Sequence, residues 1–250
     1  MECVVSNEIL WQPKELRSKA VTAFMDRINY KYNTKLENYW ALHKWSIEHI
    51  DNFWNEILEF SGVIVHGRST DVVDVNTPIE ANPPWFVGTK LNFTENILKY
   101  RGMQPAIQYM SEFDSNVRSI SREELRCQVF KSIAGFKKIG VSTGDVVAAF
   151  APNLPEVIIC ALAAAALGAQ FTTASADFGV NSVLERFEQV SPKVLIVGSV
   201  APYNGKVYDQ MPKVFAVLDK LKSVTKCIVI ESTLSNSPTL LSDSNLIFYK

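Results

Sequence analysis

The middle of the chain alternates short apolar runs with longer stretches of helical period. The runs at residues 146–150, 170–174 and 194–197 are each too short for a helix, and two stretches of helical length and spacing separate them. That alternation predicts βαβ crossovers feeding a parallel sheet. Continuous hydrophobicity, rather than in–out alternation, fits strands buried on both faces. Open α/β sheets hold ligands at the carboxyl ends of their strands, so residues 152–153, 174–177 and 198–205 are expected to line a crevice.

Before this region the period is helical. Leu16, Ala20, Phe24 and Ile28 recur every four residues, and Ile47, Ile50, Phe53, Trp54 and Ile57 follow at three- and four-residue spacing. Ser46, with Glu48 close behind, is the expected N-cap of the second run. A Trp-rich helical pair this small is not expected to bury a deep core alone. Residues 61–90, broken by Asp71, Asp74, Asn76, Pro78, Asn82, Pro83 and Pro84, read as a long connection with one strand at 63–65.

Residues 106–110 and 117–120 then flank a turn-rich stretch at 112–116 and predict a hairpin. Ser121 and Glu124 form a capping box for a helix whose stripe is Leu125, Val129, Ile133 and Phe136, and Gly140 ends it. After the βαβ units come a helix around 212–222 and a strand at 227–230. Residues 232–250 have the composition of a loop or disordered tail. The expected class is α/β: a helical region at 1–90, the first part of a doubly wound, mostly parallel sheet domain at 91–231, and a divergent tail at 232–250.

Charge and composition remove several functions. With 25 basic and 26 acidic residues, a net charge of −1 gives no drive toward nucleic acid or an anionic membrane. The four cysteines lack C-x-x-C spacing, and Cys127 and Cys160 fall in apolar helical patterns as small hydrophobes. The three histidines show no metal-ligand spacing. The first residues carry neither a basic segment nor a long apolar core, so no signal peptide is expected. The longest apolar run, 157–167, is too short to span a bilayer. These features predict a near-neutral cytosolic (cytoplasmic) enzyme.

The central residues also carry a resemblance. Gly144-Asp145, the run 146–150, Pro152-Asn153-Leu154-Pro155-Glu156, the small-residue stretch 157–167 and Gly168-Ala169 stand in the order found in the acyl-adenylate-forming (AMP-binding) enzymes. Upstream, Leu42-His43-Lys44-Trp45-Ser46 with Phe53-Trp54, and Trp85-Phe86-Val87-Gly88 with Leu91-Asn92-Phe93, resemble the acetyl-CoA synthetase branch. Ala176-Asp177-Phe178-Gly179-Val180-Asn181 and Tyr203-Asn204-Gly205-Lys206 are similar to the acetoacetate-activating ligases of that branch. Its acetyl- and propionyl-activating members tend to carry two glycines and an arginine there. The resemblance runs from about Trp40 to Glu231.

It implies a two-step ligation using ATP, Mg2+ and coenzyme A. A carboxylate, acetoacetate or another short acyl acid, attacks the α-phosphate and releases diphosphate, and the coenzyme A thiol then displaces AMP. Phosphates need a loop of glycine and hydroxyl residues, usually with a lysine. No such Ser/Thr/Gly-rich run ending in lysine occurs here. The stretch from Gly198 to Lys206 has six residues between its glycines, contains Pro202, and has Val207 where a P-loop needs Ser or Thr. The chain therefore reads as the front of such a ligase, truncated before its catalytic machinery and inactive alone, with no catalytic residue of its own.

The resemblance leaves part of a coenzyme A surface. The cofactor's nucleotide end is expected across residues 174–178, and Lys206 is expected to face its 3′-phosphate, alternatively being a solvated loop lysine. Tyr203 takes the place of a second basic residue. Asp177 either contributes backbone to coenzyme A or, preferred on the residues alone, caps a helix beginning near Val180. Trp85 and Phe86 either line a ligand path or anchor the connecting arm, the latter favoured. His43 is expected to be a partly buried structural residue, and Glu156 to sit at a helix start favoured by the dipole. No serine has nucleophile-elbow spacing. A non-catalytic binding module remains the alternative from another class. An unrelated flavodoxin-like domain leaves the Trp-rich arm unexplained.

Overall fold

A computed structural model describes residues 19–231 and 246–249. The chain divides into two compact units, Met1–Lys90 and Leu91–Lys250.

In the first unit, α1 (Lys19–Tyr32), α2 (Tyr39–Glu48) and α3 (Ile50–Ser61) enclose Phe24, Ile28, Leu42 and Trp45. Phe24 meets Phe53 and Phe60 edge-on, at centroid distances of 5.9 and 5.1 Å. The helices thus have a small core of their own, against the sequence expectation. Three helices rather than two surround it, and large rings fill the space.

The second helical run breaks at His49, whose φ is −134°. Asn38 caps α2 by accepting from the Ala41 N–H at 3.0 Å. Ser46 lies inside α2 and donates to the His43 carbonyl at 2.7 Å, so it is no N-cap. His43 is exposed beside Tyr39 and Trp40, not partly buried.

Glu56 on α3 is fully buried. Its carboxylate accepts from Arg27 Nε at 2.7 Å, from the Lys31 ammonium, and from the Tyr32 hydroxyl at 3.1 Å. Burial pushes the carboxyl up, but the hydrogen bonds from Lys31, Arg27 and Tyr32 outweigh it and hold Glu56 below its ordinary value.

The long connection pairs β1 (His66–Gly67) antiparallel with β2 (Thr89–Lys90), so its strand falls after the expected 63–65. Close approach sets the position: a Cβ on Gly67 would lie 2.4 Å from the Gly88 carbonyl oxygen. Trp85 packs edge-on against Trp54 at 5.5 Å, and the Phe86 N–H donates to Val72 at 2.7 Å. Both anchor the arm, as favoured from sequence.

The second unit begins with α4 (Phe93–Ile97) and the hairpin of β3 (Pro105–Ser111) and β4 (Asp114–Ser121). Next come α5 (Arg122–Lys138), β5 (Val146–Ala151), α6 (Pro155–Ala166), β6 (Gln170–Ser175), α7 (Val180–Phe187) and β7 (Val194–Gly198). A second hairpin follows, β8 (Val200–Tyr203) with β9 (Lys206–Asp209), then α8 (Met211–Lys220), β10 (Lys226–Ile230) and β11 (Leu246–Phe248).

Five strands form one parallel sheet in the order β11-β10-β7-β5-β6. The three predicted runs are β5, β6 and β7; β5 and β7 are buried as expected, whereas β6 ends the strand order and, with Gln170, Thr172 and Thr173, is mostly exposed or half-buried. Three features of this unit escaped: α4, the β8–β9 hairpin, read as loop, and β11, which lies in the stretch read as tail. The apolar triplet of β11 is too short to show a period among Ser, Asp and Asn neighbours.

Alternate residues of each strand serve opposite layers. Val147, Ala149, Val194 and Ile196 pack with α5 and α6, while Ala148, Phe150, Leu195 and Val197 pack with α7 and α8. The Ser121–Glu124 capping box forms as expected, and hydrogen bonds from the Ser121 N–H and hydroxyl hold the Glu124 carboxyl below its usual range. Cys127 is exposed, not a core hydrophobe, because it lies off the α5 stripe. At the amino edge of the sheet Lys193 donates to Asp145 at 2.8 Å and to the Gly140 carbonyl at 2.7 Å.

Glu56→Gln is expected to destabilise the helical unit by about 2 kcal/mol. That is below the roughly 3–5 kcal/mol of breaking a fully buried pair, because Arg27 and Lys31 keep 36% and 44% of their side chains exposed. Tryptophan emission during urea unfolding reads it, since all five tryptophans precede residue 91. The folded carboxyl titrates below its ordinary 4.5, so its contribution is complete above that pH and lost as pH falls through the depressed value. The acid limb of the stability curve should flatten in the variant.

Candidate functional site

The carboxyl ends of β5 and β6 open into a crevice of about 620 Å³. Residues 152–154 after β5 and 175–177 at the end of β6 line it, at the carboxyl ends of the strands where open α/β sheets hold ligands. The β3–β4 turn supplies Met110, Ser111 and Glu112, and the β8–β9 hairpin supplies Ala201, Pro202, Tyr203 and Tyr208. Asp209, Gln210 and Lys213 close the side nearest α8. Gly198 explains how the walls come so close: a Cβ there would lie 2.7 Å from Pro152 Cδ.

Glycine and asparagine shape the hairpin. Tyr203 pairs with Lys206 across a two-residue loop, Asn204-Gly205, whose φ values of 50° and 70° are both left-handed. That combination is the type I′ turn, for which Asn-Gly is the preferred sequence. What resembled a failed phosphate loop is therefore a hairpin.

Of the sequence-expected residues, the structure brings Asp177 and Tyr203 into the crevice. Lys206 is exposed at the start of β9, outside the lining. Asp177 does not cap α7: Gly179 occupies that position with no side-chain cap, and Asp177 stays exposed at the crevice floor. The turn that begins with Phe178 N–H donating to Ser175 O at 3.1 Å carries the chain past Asp177 before the helix starts.

Sequence reasoning missed three residues here. Lys213 donates from Nζ to the carbonyls of Ala176 at 3.2 Å and Phe178 at 3.5 Å, tying α8 to the loop that carries Asp177. Glu112 accepts from the N–H groups of Asn204 at 3.1 Å and Gly205 at 2.8 Å. Gln210 is buried, and its Oε1 accepts no hydrogen bond from the protein. A buried acceptor of this kind calls for a donor from water or ligand. Nothing in the linear sequence marks these three, since each acts on a segment distant in the chain or through a backbone group.

Carboxylates of Glu112, Asp177 and Asp209 against the single ammonium of Lys213 make the lining acidic. Its floor and walls are apolar at Met110, Pro152, Leu154, Ala176, Ala201 and Pro202. The arrangement suits an uncharged, flat or extended ligand portion inside, with any phosphate outside near Lys206. Among the described residues no three His, Cys, Asp or Glu cluster as a metal site, and the glycine-bearing segment is a hairpin.

A second cavity of about 450 Å³ lies in the same unit beside α5, lined by Phe136, Ile139, Cys160, Ile228, Ile247 and Tyr249 among others. Burial pushes the Cys160 thiol up to about 12, so it is protonated at neutral pH and no nucleophile. None of the sequence-expected site residues lies there. No helix among the described residues is long and apolar enough to cross a membrane.

This fold agrees with comparison to known proteins. The family model described as AMP-binding enzyme matches residues 94–246, and that described as acetyl-coenzyme A synthetase N-terminus matches residues 39–97. The chain belongs to the AMP-binding enzyme family. The first match passes Glu231, so the likeness continues beyond the point where sequence reading ended it.

The chain is similar to the acetoacetyl-CoA synthetases of Xenopus tropicalis and Danio rerio. Each is 34% identical to it, over 92% and 96% of this chain and 34% and 36% of theirs. The solved structure of acetoacetyl-CoA synthetase from Streptomyces lividans superposes with a TM-score of 0.86 at 30% identity, covering 96% of this chain and 37% of that one. The chain spans about a third of the length of the curated relatives it matches.

Lys213→Met removes the ammonium that holds the Ala176 and Phe178 carbonyls while keeping the apolar stem. Losing about 1 kcal/mol of charge-assisted bonding should speed amide exchange in the 177–179 loop roughly fivefold. Exchange in β5 and β7 should stay unchanged in the same measurement.

Proposed function

We propose that these residues are part of an ATP-dependent acid–thiol ligase that converts acetoacetate, ATP and coenzyme A to acetoacetyl-CoA, AMP and diphosphate. Within it, the crevice at the ends of β5 and β6 takes the nucleotide end of coenzyme A. The observation that carries this reading is the crevice itself. It lies where an open α/β sheet binds ligands, and it joins the Asp177 loop and the Tyr203 hairpin, the two segments similar to the acetoacetate-activating branch.

Its polarity suggests the pose. Apolar walls and the Tyr203 and Tyr208 rings accept the base and the uncharged arm, because every base offers a face for stacking. Three carboxylates repel phosphate from the interior, which leaves the 3′-phosphate at the rim beside Lys206. Tyr203 brings no charge, so Lys206 carries that contact alone. ATP and Mg2+ act at residues other than those described. The cysteines are scattered without C-x-x-C spacing, which supports a reducing, cytosolic setting. A five-stranded sheet with both faces covered also supports a second reading, a module that binds coenzyme A without turnover.

Calorimetric titration of the chain should show saturable coenzyme A binding about threefold tighter than dephospho-coenzyme A, the size of one exposed ion pair. Lys206→Ala should erase that difference. Equal affinities of the wild-type chain for both ligands overturn the role of Lys206, and absence of binding overturns the crevice reading.

These 250 residues are expected to show no ATP–diphosphate exchange with acetoacetate. Exchange above background would mean that this chain completes a triphosphate site.

A further inference from the structure

The β8–β9 hairpin stands apart from the five-stranded sheet, and a two-stranded ribbon alone is marginal in water. Its base is secured: Ser199 N–H donates to the Ile230 carbonyl, Gln210 N–H donates to the Ser199 carbonyl, both at 3.0 Å, and Val200 and Ala201 are buried. Its outer end is different. Every residue from Tyr203 to Asp209 is exposed, so apolar packing does little to fix the tip.

In a type I′ turn the N–H groups of the two central residues point away from the ladder and find no partner within the hairpin. Here those groups belong to Asn204 and Gly205, and one side chain takes both. Glu112 Oε1 accepts from Asn204 and Oε2 from Gly205, across more than ninety residues of sequence. Two backbone donors on one carboxylate form a charge-assisted, two-point contact that fixes orientation as well as distance. Glu112 sits in the β3–β4 turn, on the opposite wall of the crevice from the hairpin. The contact is therefore a strut joining the two walls at their outer end.

We propose that Glu112 is a positioning residue: it holds the hairpin tip, and with it Tyr203 and Lys206, in the pose that gives the crevice its shape. The step from pose to ligand rests on the reading of the crevice as a coenzyme A surface; the strut itself does not. Glu112 places a negative charge near the rim where an anionic group would lie. Positioning and charge thus act on binding with opposite signs, and substitution separates them.

The test uses the chain as wild type, Glu112→Gln and Glu112→Ala, each followed by amide hydrogen exchange, thermal melting and titration with coenzyme A. In Glu112→Ala the Asn204 and Gly205 amides should exchange about tenfold faster, and coenzyme A should bind about tenfold more weakly, as expected for losing two charge-assisted bonds. Glu112→Gln, which keeps one acceptor, should fall between. The melting temperature should fall by no more than about 5 °C, the shift that a tenfold local loss implies for a chain of this size; a role in general stability would lower it further and speed exchange in the core strands as well.

Unchanged exchange at Asn204 and Gly205 overturns the proposal. So does unchanged or tighter coenzyme A binding by Glu112→Ala, which would make Glu112 a bystander or a competing anion. If the wild-type chain binds no coenzyme A, the crevice reading fails and the amide exchange alone decides the strut. If Glu112→Ala fails to fold, the near-isosteric Glu112→Gln carries both measurements.

Discussion

Burial of β5 on both faces is the constraint from which the second unit follows. Val147, Ala148, Ala149 and Phe150 are all removed from water, so each neighbouring residue must find its partner in the opposite layer. Two of the four are alanines: Ala149 shares its layer with Cys160, Ala163 and Ala164 of α6, also buried, and Ala148 lies in the opposite layer. Small residues on both sides let helix and sheet approach closely. The larger Phe150 instead fills the opposite layer with Val183 and Phe187. A strand buried this way cannot be reached by a tight turn to a parallel neighbour. From β5 through β6 and β7 to β10 the chain crosses over a helix each time, and each crossover starts from a loop at the same end of the sheet.

That is why the candidate site sits where it does, and why the two ends of the sheet differ. At the amino end, Asp145 binds the Ser142 N–H at 2.8 Å and Lys193 bridges Asp145 to the Gly140 carbonyl. Hydrogen bonds from Lys193 and Ser142 hold the Asp145 carboxyl below its usual range. These polar groups are spent on other groups of the same fold. At the carboxyl end Asp177, Tyr203 and Lys206 stand exposed and Gln210 Oε1 has no donor among the described residues. One end ties the structure together, and the other leaves polar capacity unspent.

The parts of this molecule legible in its sequence are those written in local periodicity. The runs of β5, β6 and β7 and the Leu125, Val129, Phe136 stripe of α5 could be read directly, because burial on a repeating geometry leaves a repeating pattern. The Ser121–Glu124 box was readable because both its bonds lie within one turn. The break at His49 was not: the apolar spacing of α2 and α3 is continuous, and only backbone geometry separates them. Asp177 misled because an acidic residue three positions before a helix looks like a cap, whereas the Ser175–Phe178 turn intervenes and Gly179 is the N-cap. In the crevice the sequence marked Asp177 and Tyr203 through family likeness. It could not mark Glu112 or Lys213, whose partners are main-chain groups from segments far away in the chain.

Asn92 and Thr94 show the same limit from the other side. They form a glycosylation sequon on paper, yet Asn92 caps α4 and donates to the Ala165 carbonyl at 2.9 Å, while Thr94 is buried and donates to Leu162 at 2.6 Å. The two residues are consumed in docking α4 onto α6. A motif states which atoms are available in the unfolded chain. The fold then decides whether those atoms remain available, and here the decision rests on two helix carbonyls that carry no side-chain signature. The hairpin tip reverses the case. Its turn N–H groups are backbone, present in any sequence, and Asn204-Gly205 gives them their direction while Glu112 gives them a partner. Specific function in this unit therefore depends less on rare residue types than on which ordinary hydrogen-bonding groups the parallel sheet leaves unspent at its open end.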